Sequence, residues 1–156
     1  MAGVFIHGLE SSSRGTKARW FARRFPEMVI PDFSGSLEER MVQLRRILSG
    51  RDGLVLVGSS FGGLMAAVCA MEEPSRVERV VLLAPALNFP EFAARPHRRV
   101  DVETILVVGR HDTVCPPGDV IPVAKSIFAD PVITMVEDDH LLHKTFFDLD
   151  WPSLLT

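Results

Sequence analysis

The chain has 156 residues, the length of one domain, and we predict a single domain over residues 1–156. Hydrophobic residues make up 47% of the sequence and charged residues 24%, a composition that excludes an intrinsically disordered protein. The formal net charge is -3, with the basic residues scattered along the chain. This pattern argues against a large basic surface, so we expect neither a nucleic-acid-binding nor an anionic-membrane-binding protein.

No apolar stretch reaches the length of a transmembrane helix. Residues 1–8 have neither the basic segment nor the long apolar segment of a signal peptide. Cys69 and Cys115 lack the spacing of a redox or metal-binding pair, which is typical of free thiols in a reducing compartment. We therefore expect a cytoplasmic protein that does not span a membrane.

Short apolar runs rich in Val, Ile and Leu recur along the chain, and most are continuous rather than alternating. This pattern predicts the strands of a parallel sheet that is covered on both faces. In chain order, the predicted strands are residues 4–6, 28–30, 54–57, 80–83, 105–108 and 132–136. The helices predicted between and after them are residues 16–25, 37–48, 61–72, 120–129 and 144–149. Ser36 and Glu39 form a capping box before the second helix, and Gly50 ends it.

The alternation of strands and helices predicts an α/β fold of three layers, with helices on both faces of a mainly parallel sheet. If the second strand lies outside the first and the third lies on its other side, the order of about six strands is 2-1-3-4-5-6. The loops after strands 1 and 3 then leave in opposite directions and open a crevice for a ligand. Residues 87–99 contain two prolines and an arginine pair, and we predict a long loop or a very short cap there.

The most informative motif is G-x-S-x-G at residues 58–62, which lies directly between an apolar strand and an apolar helix. This context is typical of a nucleophile elbow, where two glycines allow a tight turn that exposes the serine hydroxyl above the sheet. Only Ser60 has glycines both two positions before and two positions after it. We therefore predict Ser60 as a nucleophile; the alternative is a glycine-rich turn without chemistry. No Lys-Ser or Lys-Thr pair follows, which excludes a phosphate-binding loop.

A serine nucleophile needs a base and a carboxylate that orients the base. Asp112 follows the strand at 105–108, in a loop at the same end of the sheet as Ser60. Asp101 precedes that strand and lies at the opposite end, and Asp119 stands where a helix N-cap is expected. We predict Asp112 as the carboxylate; the alternative is an aspartate that only caps its own loop.

Of the five histidines, His140 follows the last strand and reaches the same rim, so we predict it as the base. His143, three residues further on, is the second choice. His111 is next to the predicted carboxylate but is expected to point away, and His97 lies in the loop rich in Pro and Arg. No two histidines have zinc-ligand spacing with a carboxylate between them, so we predict no metal site.

Acyl transfer also requires hydrogen-bond donors for a negatively charged oxygen. One expected donor is the backbone N–H of Phe61, which follows the nucleophile, and the other is that of Leu9 in the loop after the first strand. We predict a structural role for His7, which ends that strand. The predicted substrate-binding residues, which border the crevice, are Gly8, Leu87 and Phe89.

Together these motifs resemble the α/β-hydrolase superfamily over essentially the whole chain. Within it, the sequence is most similar to the small, lidless YqiA-like bacterial esterases. The matching motifs are His7-Gly8-Leu9-Glu10-Ser11-Ser12, Lys17-Ala18, Pro31-Asp32 and Gly58-x-Ser60-x-Gly62. The usual superfamily chain has two more N-terminal strands and a helical cap before the strand that carries the acid. The resemblance therefore implies a minimal fold without a real cap and with a shallow substrate pocket.

The resemblance also implies a serine hydrolase that needs no cofactor and acts on a small-molecule carboxylic ester or thioester. In this interpretation Ser60 forms an acyl-enzyme, His140 carries the proton and Asp112 fixes the tautomer of the imidazole. The missing cap favours short-chain esters. Two alternatives stay open: a thioesterase or small-amide hydrolase with the same triad, and a non-catalytic binding module that keeps the fold.

Overall fold

The computed structural model describes residues 2–156. Its centre is one sheet made of β1 (Ala2–Ile6), β2 (Leu54–Ser59), β3 (Val77–Leu83), β4 (Glu103–Gly109) and β5 (Val132–Val136). The five strands lie in the order β1-β2-β3-β4-β5, and every neighbouring pair is parallel. Because all strands run in one direction, the loops that follow them meet at one edge of the sheet.

The strand predicted at residues 28–30 is reduced to a single β-bridge, so the sheet has five strands instead of about six. The bridge lies on the outer side of β1, where the predicted order places this segment. The Val29 N–H donates to the Gly3 carbonyl, and the Val29 carbonyl accepts from the Phe5 N–H, both at 2.9 Å. The next donor of a parallel ladder would be residue 31, a proline without an N–H, and the pairing stops there.

Within residues 2–156, the α-helices are α1 (Thr16–Arg24), α2 (Leu37–Leu48), α3 (Phe61–Glu72), α4 (Pro90–Ala93), α5 (Pro117–Ile127) and α6 (Trp151–Leu154). The capping box before α2 is present. Ser36 Oγ accepts from the Glu39 N–H at 3.2 Å, and the Glu39 carboxylate accepts from the Ser36 N–H at 3.1 Å. Gly50 follows α2 in a left-handed conformation, with φ 74°, as expected for a helix terminator.

Two predicted helices differ from the structure because of tertiary contacts. Helix α5 begins and ends earlier than residues 120–129, and at its end the Ala129 N–H donates to the Val100 carbonyl at 3.0 Å instead of extending the helix. A 3₁₀ turn at Phe146–Asp148 replaces the helix predicted at residues 144–149. There the Asp148 N–H donates to the Thr145 carbonyl at 2.9 Å, which is the bond of a 3₁₀ turn, and the Phe146 carbonyl accepts from the buried indole N–H of Trp151 at 2.8 Å.

Helices α2, α3 and α5 cover one face of the sheet, and α1, the 3₁₀ turn and α6 cover the other. On the second face, the ring centroid of Phe21 lies 5.3 Å from that of Phe146 and 4.8 Å from that of Trp151. These aromatic contacts fix the C-terminal segment against α1. The segment after β5 and the first helix therefore border the same edge of the sheet.

The segment predicted as a long loop or a very short cap contains only the single-turn helix α4, so this prediction is confirmed. The edge of the sheet where the loops meet consequently has no helical domain above it within residues 2–156. No helix in the same range is long and apolar enough to cross a bilayer.

Candidate active site

Ser60 forms the turn between β2 and α3, with backbone dihedrals φ 55° and ψ -115°. This conformation is strained for a residue with a side chain, and it persists because the surrounding backbone fixes it. A Cβ atom on Gly62 would lie 1.9 Å from the Ile6 carbonyl oxygen, and one on Gly58 would lie 2.3 Å from the Gly62 carbonyl oxygen. Both positions therefore require glycine, as expected for a nucleophile elbow.

Backbone groups at the end of β3 hold this turn in place. The Ser60 N–H donates to the Leu83 carbonyl at 2.9 Å, and the Ser60 carbonyl accepts from the N–H groups of Gly63 and Ala86, both at 2.9 Å. A Cβ atom on Gly63 would lie 2.7 Å from the Pro85 Cβ, so α3 and the loop after β3 are in close contact. The Ser60 side chain stands at the N-terminus of α3, where the helix dipole favours negative charge.

A chain of hydrogen bonds joins the three side chains predicted from the loops after β2, β4 and β5. Ser60 Oγ lies 2.9 Å from His140 Nε2, and His140 Nδ1 lies 2.8 Å from Asp112 Oδ2. A carboxylate only accepts hydrogen bonds, so Nδ1 carries the proton and Nε2 accepts from the Ser60 hydroxyl. The Asp112 side chain is fully buried, and that of His140 is 19% exposed. This arrangement can move a proton from Ser60 to His140 while Asp112 orients the ring.

The second oxygen of Asp112 fixes the loop after β4. Oδ1 accepts from the N–H groups of Val114 at 2.9 Å and Cys115 at 2.7 Å, so one carboxylate both caps its loop and contacts His140. Burial, and to a smaller extent the charge of Asp112, raise the pKa of the Cys115 thiol to about 12. Cys115 is thus a buried, protonated thiol at neutral pH.

The other candidate histidines bond to groups other than Ser60. His143, the second choice for the base, has its Nδ1 3.1 Å from Asp139 Oδ1. His111 and His97 bond to a glutamate and to a backbone carbonyl, respectively. Among the hydrogen bonds of residues 2–156, the Ser60 hydroxyl therefore meets the ring of His140 and no other histidine.

His7 shapes the loop after β1 and is only 2% exposed. Its Nδ1–H donates to the Gly8 carbonyl at 2.7 Å, and its Nε2 accepts from the Phe33 N–H at 2.9 Å. The Gly8 carbonyl and the Leu9 N–H belong to the same trans peptide and point in opposite directions. The hydrogen bond from His7 therefore turns the Leu9 N–H away from the His7 ring. This contact pattern is the structural role predicted for His7.

The loop after β1 passes directly over Ser60. A Cβ atom on Gly8 would lie 3.4 Å from the Ser60 Cβ and 4.0 Å from the Phe61 backbone nitrogen. Within the described part of the chain, neither the Leu9 N–H nor the Phe61 N–H has a hydrogen-bond acceptor. Both groups are available to an oxygen atom bound beside Ser60.

An open cleft of about 500 Å³ lies above Ser60 and His140. Gly8 and Phe89, two of the predicted substrate-binding residues, line this cleft. Leu87 does not line it, and the prediction that Leu87 contacts the substrate is wrong. The Leu87 side chain is 2% exposed and belongs to the core on the α3 side of the sheet, because the short loop after β3 turns it inwards.

Two segments that are distant in sequence supply cleft residues that the sequence patterns did not indicate. Lys17 comes from α1, and Leu141 and Phe147 come from the segment after β5. The side chains of Leu141 and Phe147 are 62% and 44% exposed, so apolar surface faces the mouth of the cleft. The adjacent aromatic pair at residues 146–147, shortly after His140, is the sequence signal that could have indicated this wall.

Asp138 is a buried carboxylate that fixes the loop carrying His140. It is 5% exposed and accepts from the N–H groups of Asp139, Lys144 and Thr145 at 2.8, 3.0 and 2.9 Å, and from the Thr145 hydroxyl at 3.0 Å. Burial acts to raise the pKa of Asp138, but these hydrogen bonds outweigh burial and lower the pKa to about 2. Asp138 is therefore ionised at neutral pH and ties the two ends of the loop together.

One group of side chains within residues 2–156 has ligand atoms close enough to surround a metal ion. It consists of Asp138, Asp139 and His143, whose ligand atoms lie within 4.8 Å of one another. Both oxygens of Asp138 already accept hydrogen bonds from the loop, Oδ1 from Asp139 and Oδ2 from Lys144 and Thr145. The Asp138 carboxylate thus stabilises the loop through these hydrogen bonds, and we assign no metal to this group.

The family model described as alpha/beta hydrolase fold matches residues 8–102, which include Ser60 and the loop after β1. No curated protein sequence matches the chain.

Solved structures with the same fold cover almost the whole chain. A protein from Xanthomonas campestris pv. campestris, assigned to the hydrolases of the alpha/beta superfamily, is 23% identical, with a TM-score of 0.76 over 94% of this chain and 92% of its own. Est1E from Butyrivibrio proteoclasticus, with ferulic acid bound, is 14% identical, with a TM-score of 0.78 over 98% of this chain and 86% of its own. The monoacylglycerol lipase of Paleococcus ferrophilus is 17% identical, with a TM-score of 0.72 over 98% of this chain and 93% of its own. At these identities the likeness extends to the fold alone.

Proposed function

Because this chain belongs to the α/β-hydrolase fold family, we propose that it is a serine hydrolase that cleaves short-chain carboxylic esters through an acyl-enzyme. The observation that carries the proposal is the hydrogen-bond chain from Ser60 through His140 to Asp112, with distances of 2.9 and 2.8 Å. A non-catalytic binding module has no need of a serine that is held in a strained conformation against a histidine base. The alignment of these three groups therefore favours an enzyme.

In the acylation half-reaction, Ser60 Oγ attacks the ester carbonyl carbon, and its proton passes to His140 Nε2. The carbonyl oxygen becomes an oxyanion, which accepts hydrogen bonds from the N–H groups of Leu9 and Phe61. Asp112, hydrogen-bonded to Nδ1, stabilises the imidazolium that forms. Collapse of the tetrahedral intermediate breaks the bond to the alcohol oxygen, which takes the proton from His140, and the acyl group stays on Ser60.

In the deacylation half-reaction, His140 Nε2 accepts a proton from a water molecule, which attacks the acyl carbon. The same two N–H groups receive the second oxyanion. When the bond to Ser60 Oγ breaks, the proton on His140 returns to the serine, and the carboxylic acid leaves. The open cleft gives water access to this step, because helix α4 has only one turn and does not cover Ser60.

The shape of the cleft supports a small substrate. Its volume of about 500 Å³ has to hold both the acyl group and the leaving group, and its mouth is open. Phe89 and Phe147 offer apolar surface for a few carbons beside the reacting carbonyl. The named activity of the Paleococcus ferrophilus protein, a monoacylglycerol lipase, is in accord with ester chemistry on this fold.

The test is fluorophosphonate labelling followed by substrate profiling. We expect the wild-type protein and Ser59→Ala to be labelled and Ser60→Ala to remain unlabelled, since Ser59 and Ser60 are neighbours but only Ser60 Oγ bonds to His140. Labelling of Ser60→Ala, or none in the wild-type protein, would overturn the proposal. A matched set of acetyl and butyryl oxygen esters, thioesters and anilides then identifies the bond that is cleaved. Faster turnover of thioesters or anilides than of oxygen esters would show that the protein is a thioesterase or an amide hydrolase instead of an esterase.

A further inference from the structure

We infer that Lys17 is a positioning residue that holds the loop of His140 against Ser60, acting through the backbone carbonyl of Leu141. The inference rests on the proposed function, and it extends that function to a residue of α1 whose side-chain hydrogen bond goes to none of the three side chains in the hydrogen-bond chain. Lys17 Nζ donates to the Leu141 carbonyl at 2.6 Å and lies 5.6 Å from the centroid of the Phe146 ring.

The loop between β5 and the 3₁₀ turn is anchored at its two ends. At the first end, the Asp138 carbonyl accepts from the His111 N–H at 3.0 Å, and a Cβ atom on Gly109 would lie 2.5 Å from the same oxygen. At the second end, the Leu142 side chain is fully buried, and its backbone has the positive φ of 49°. The Asp138 carboxylate connects the two ends through the N–H of Lys144. The tip between these anchors contains His140 and Leu141.

The tip has few contacts of its own. The Leu141 side chain is 62% exposed, so it does not hold the tip by packing. The Leu141 N–H donates to Asp139 Oδ1 at 3.1 Å, a bond within the loop. Among the hydrogen bonds of residues 2–156, the tip is bound from outside the loop only at the His140 ring, by Ser60 and Asp112, and at the Leu141 carbonyl, by Lys17.

Lys17 is well placed for this role because its own helix is firmly packed. The next residue, Ala18, is buried, and Phe21 one turn further on is in the aromatic core. Burial lowers the pKa of Lys17, and the charges of the Asp138 and Asp139 carboxylates in the same loop oppose that effect. When Lys17 is charged, it makes a stronger hydrogen bond to a carbonyl than a neutral donor does. Lys17 therefore connects a fixed helix to the backbone next to His140.

A small displacement of the base is enough to slow both half-reactions. Misplacement of a reacting group by about 1 Å can lower a rate by roughly 100-fold. We expect Lys17→Met, which keeps the length and apolar stem of the side chain, to lower kcat by roughly 10- to 100-fold on p-nitrophenyl acetate. We expect KM to change by less than about threefold, because the substrate does not need the ammonium in this role. Lys17→Arg, which keeps a charged donor, should recover part of the loss.

Lys125→Met is the matched control, since Lys125 is an exposed residue of α5 on the opposite face of the sheet. All rates are measured per active site, titrated by fluorophosphonate, and thermal unfolding is followed in parallel. A Lys17→Met variant with wild-type kcat per titrated site would overturn the inference, even if it unfolds at a lower temperature. A loss confined to KM would assign Lys17 to substrate binding instead and would also overturn it.

NMR spectroscopy of the free protein, which needs no substrate turnover, tests the positioning role of Lys17 independently of the proposed hydrolase activity. The ¹H–¹⁵N NMR signals of the His140 ring report its bonds to Ser60 and Asp112 in the free protein. We expect these signals to shift and broaden in Lys17→Met, to be partly restored in Lys17→Arg, and to stay unchanged in Lys125→Met. Unchanged signals in Lys17→Met would overturn the positioning role. If instead the wild-type protein is neither labelled nor active while the signals respond, the proposed function fails and the positioning of His140 by Lys17 stands.

Discussion

The Nδ1 atom of His7 lies 2.7 Å from the carbonyl oxygen of Gly8, in the loop that crosses Ser60. The ring is held in place because its Nε2 accepts from the Phe33 N–H at 2.9 Å and because it packs against the Phe33 ring, with centroids 5.6 Å apart. One buried imidazole therefore fixes the peptide that carries the Leu9 N–H, which we propose as an oxyanion donor.

Replacing His7 tests this arrangement. We expect His7→Ala to lower kcat by roughly 10- to 100-fold with little change in KM, because an oxyanion donor acts mainly in the transition state. The Phe33 N–H loses its acceptor, so the free energy of unfolding should fall by about 1–3 kcal/mol. His7→Asn can keep the bond to Gly8 and lose the bond to Phe33, and it should retain more kcat than His7→Ala. Steady-state kinetics and urea unfolding measure both effects, and a wild-type kcat in His7→Ala would contradict the role of His7.

The three residues of the proposed triad, Ser60, His140 and Asp112, should act as a unit. We expect the kcat values of Ser60→Ala and His140→Ala to be reduced to the same residual level. The kcat of the double variant should be no lower than that of either single variant. Asp112→Asn should lose on the order of 10⁴-fold in kcat by favouring the wrong imidazole tautomer. It retains an oxygen that can accept from Val114 and Cys115, so its thermal unfolding should stay near that of the wild-type protein. If His143→Ala were as slow as His140→Ala, the assignment of the base would be wrong.

Much of the fold and of the candidate site could be predicted because both follow from local pattern. In a parallel sheet every strand delivers its following loop to the same edge, so the short segments ending at Ser60, Asp112 and His140 meet there without any knowledge of long-range packing. The elbow is local as well, since the two glycines of G-x-S-x-G are required by the turn itself. The alternation of strands and helices likewise predicted the order of the strands in the sheet.

What could not be predicted depends on contacts between distant segments. Apolar character alone does not tell whether Leu87 faces the cleft or the core, and the structure turns it into the core. The roles that we propose for Lys17 and Phe147 depend on the packing of the C-terminal segment against α1, which the aromatic contacts of Phe21 stabilise. The reduction of the second strand to a bridge was foreseeable in principle, because Pro31 lacks the next donor of the ladder.

The backbone strain at Ser60 leads to a prediction about stability. Glycine adopts φ 55° and ψ -115° far more readily than a residue with a Cβ atom. We therefore expect Ser60→Gly to be more stable than Ser60→Ala by about 1 kcal/mol or more, although both lack the hydroxyl. At Ser49, an exposed residue with φ -56°, the order of the glycine and alanine variants should be reversed. Urea unfolding of the four variants gives the comparison, and equal stabilities at position 60 would mean that the elbow is unstrained.

The buried Asp138 leads to a prediction about pH. Hydrogen bonds lower its pKa from 3.8 to about 2 on folding, so its contribution to stability is present above about pH 4 and is lost as the pH falls towards 2. At 1.36 kcal/mol per pKa unit, this contribution is roughly 2 kcal/mol at neutral pH. We expect Asp138→Asn to be destabilised by roughly this amount at pH 7.

The difference between Asp138→Asn and the wild-type protein should narrow as the pH falls from about 4 to 2. Asp130→Asn, at an exposed position between α5 and β5, is the control against which the Asp138→Asn difference is compared. Chemical unfolding at several pH values measures the effect. A difference that stays constant down to pH 2 would show that the charge of Asp138 is not what stabilises the loop.

For the proposed ester substrate, the apolar wall of the cleft is expected to limit the length of the acyl chain. Each methylene that is buried against Phe89 or Phe147 contributes about 0.8 kcal/mol, or roughly a fourfold increase in kcat/KM if it acts in the transition state. The mouth is open and no helical cap lies above it within residues 2–156, so methylenes beyond the wall extend into water and contribute nothing. We therefore expect kcat/KM to peak at acyl chains of roughly C2 to C6 and then to stay flat or fall.

A series of p-nitrophenyl esters, measured below micelle-forming concentrations, tests this limit. Phe147→Ala should reduce kcat/KM for the C6 ester more than for the C2 ester, because the longer acyl group has more apolar surface to bury against the cleft wall. Val132→Ala, at an exposed position on the outer strand β5 and away from the cleft, should change neither value. A steady rise of kcat/KM through C10 and C12 would instead require a deep pocket. Since the cleft of a single chain is open, such a rise would mean that a second subunit or a movement of the Phe147 segment completes the wall, and the short-chain assignment would be wrong.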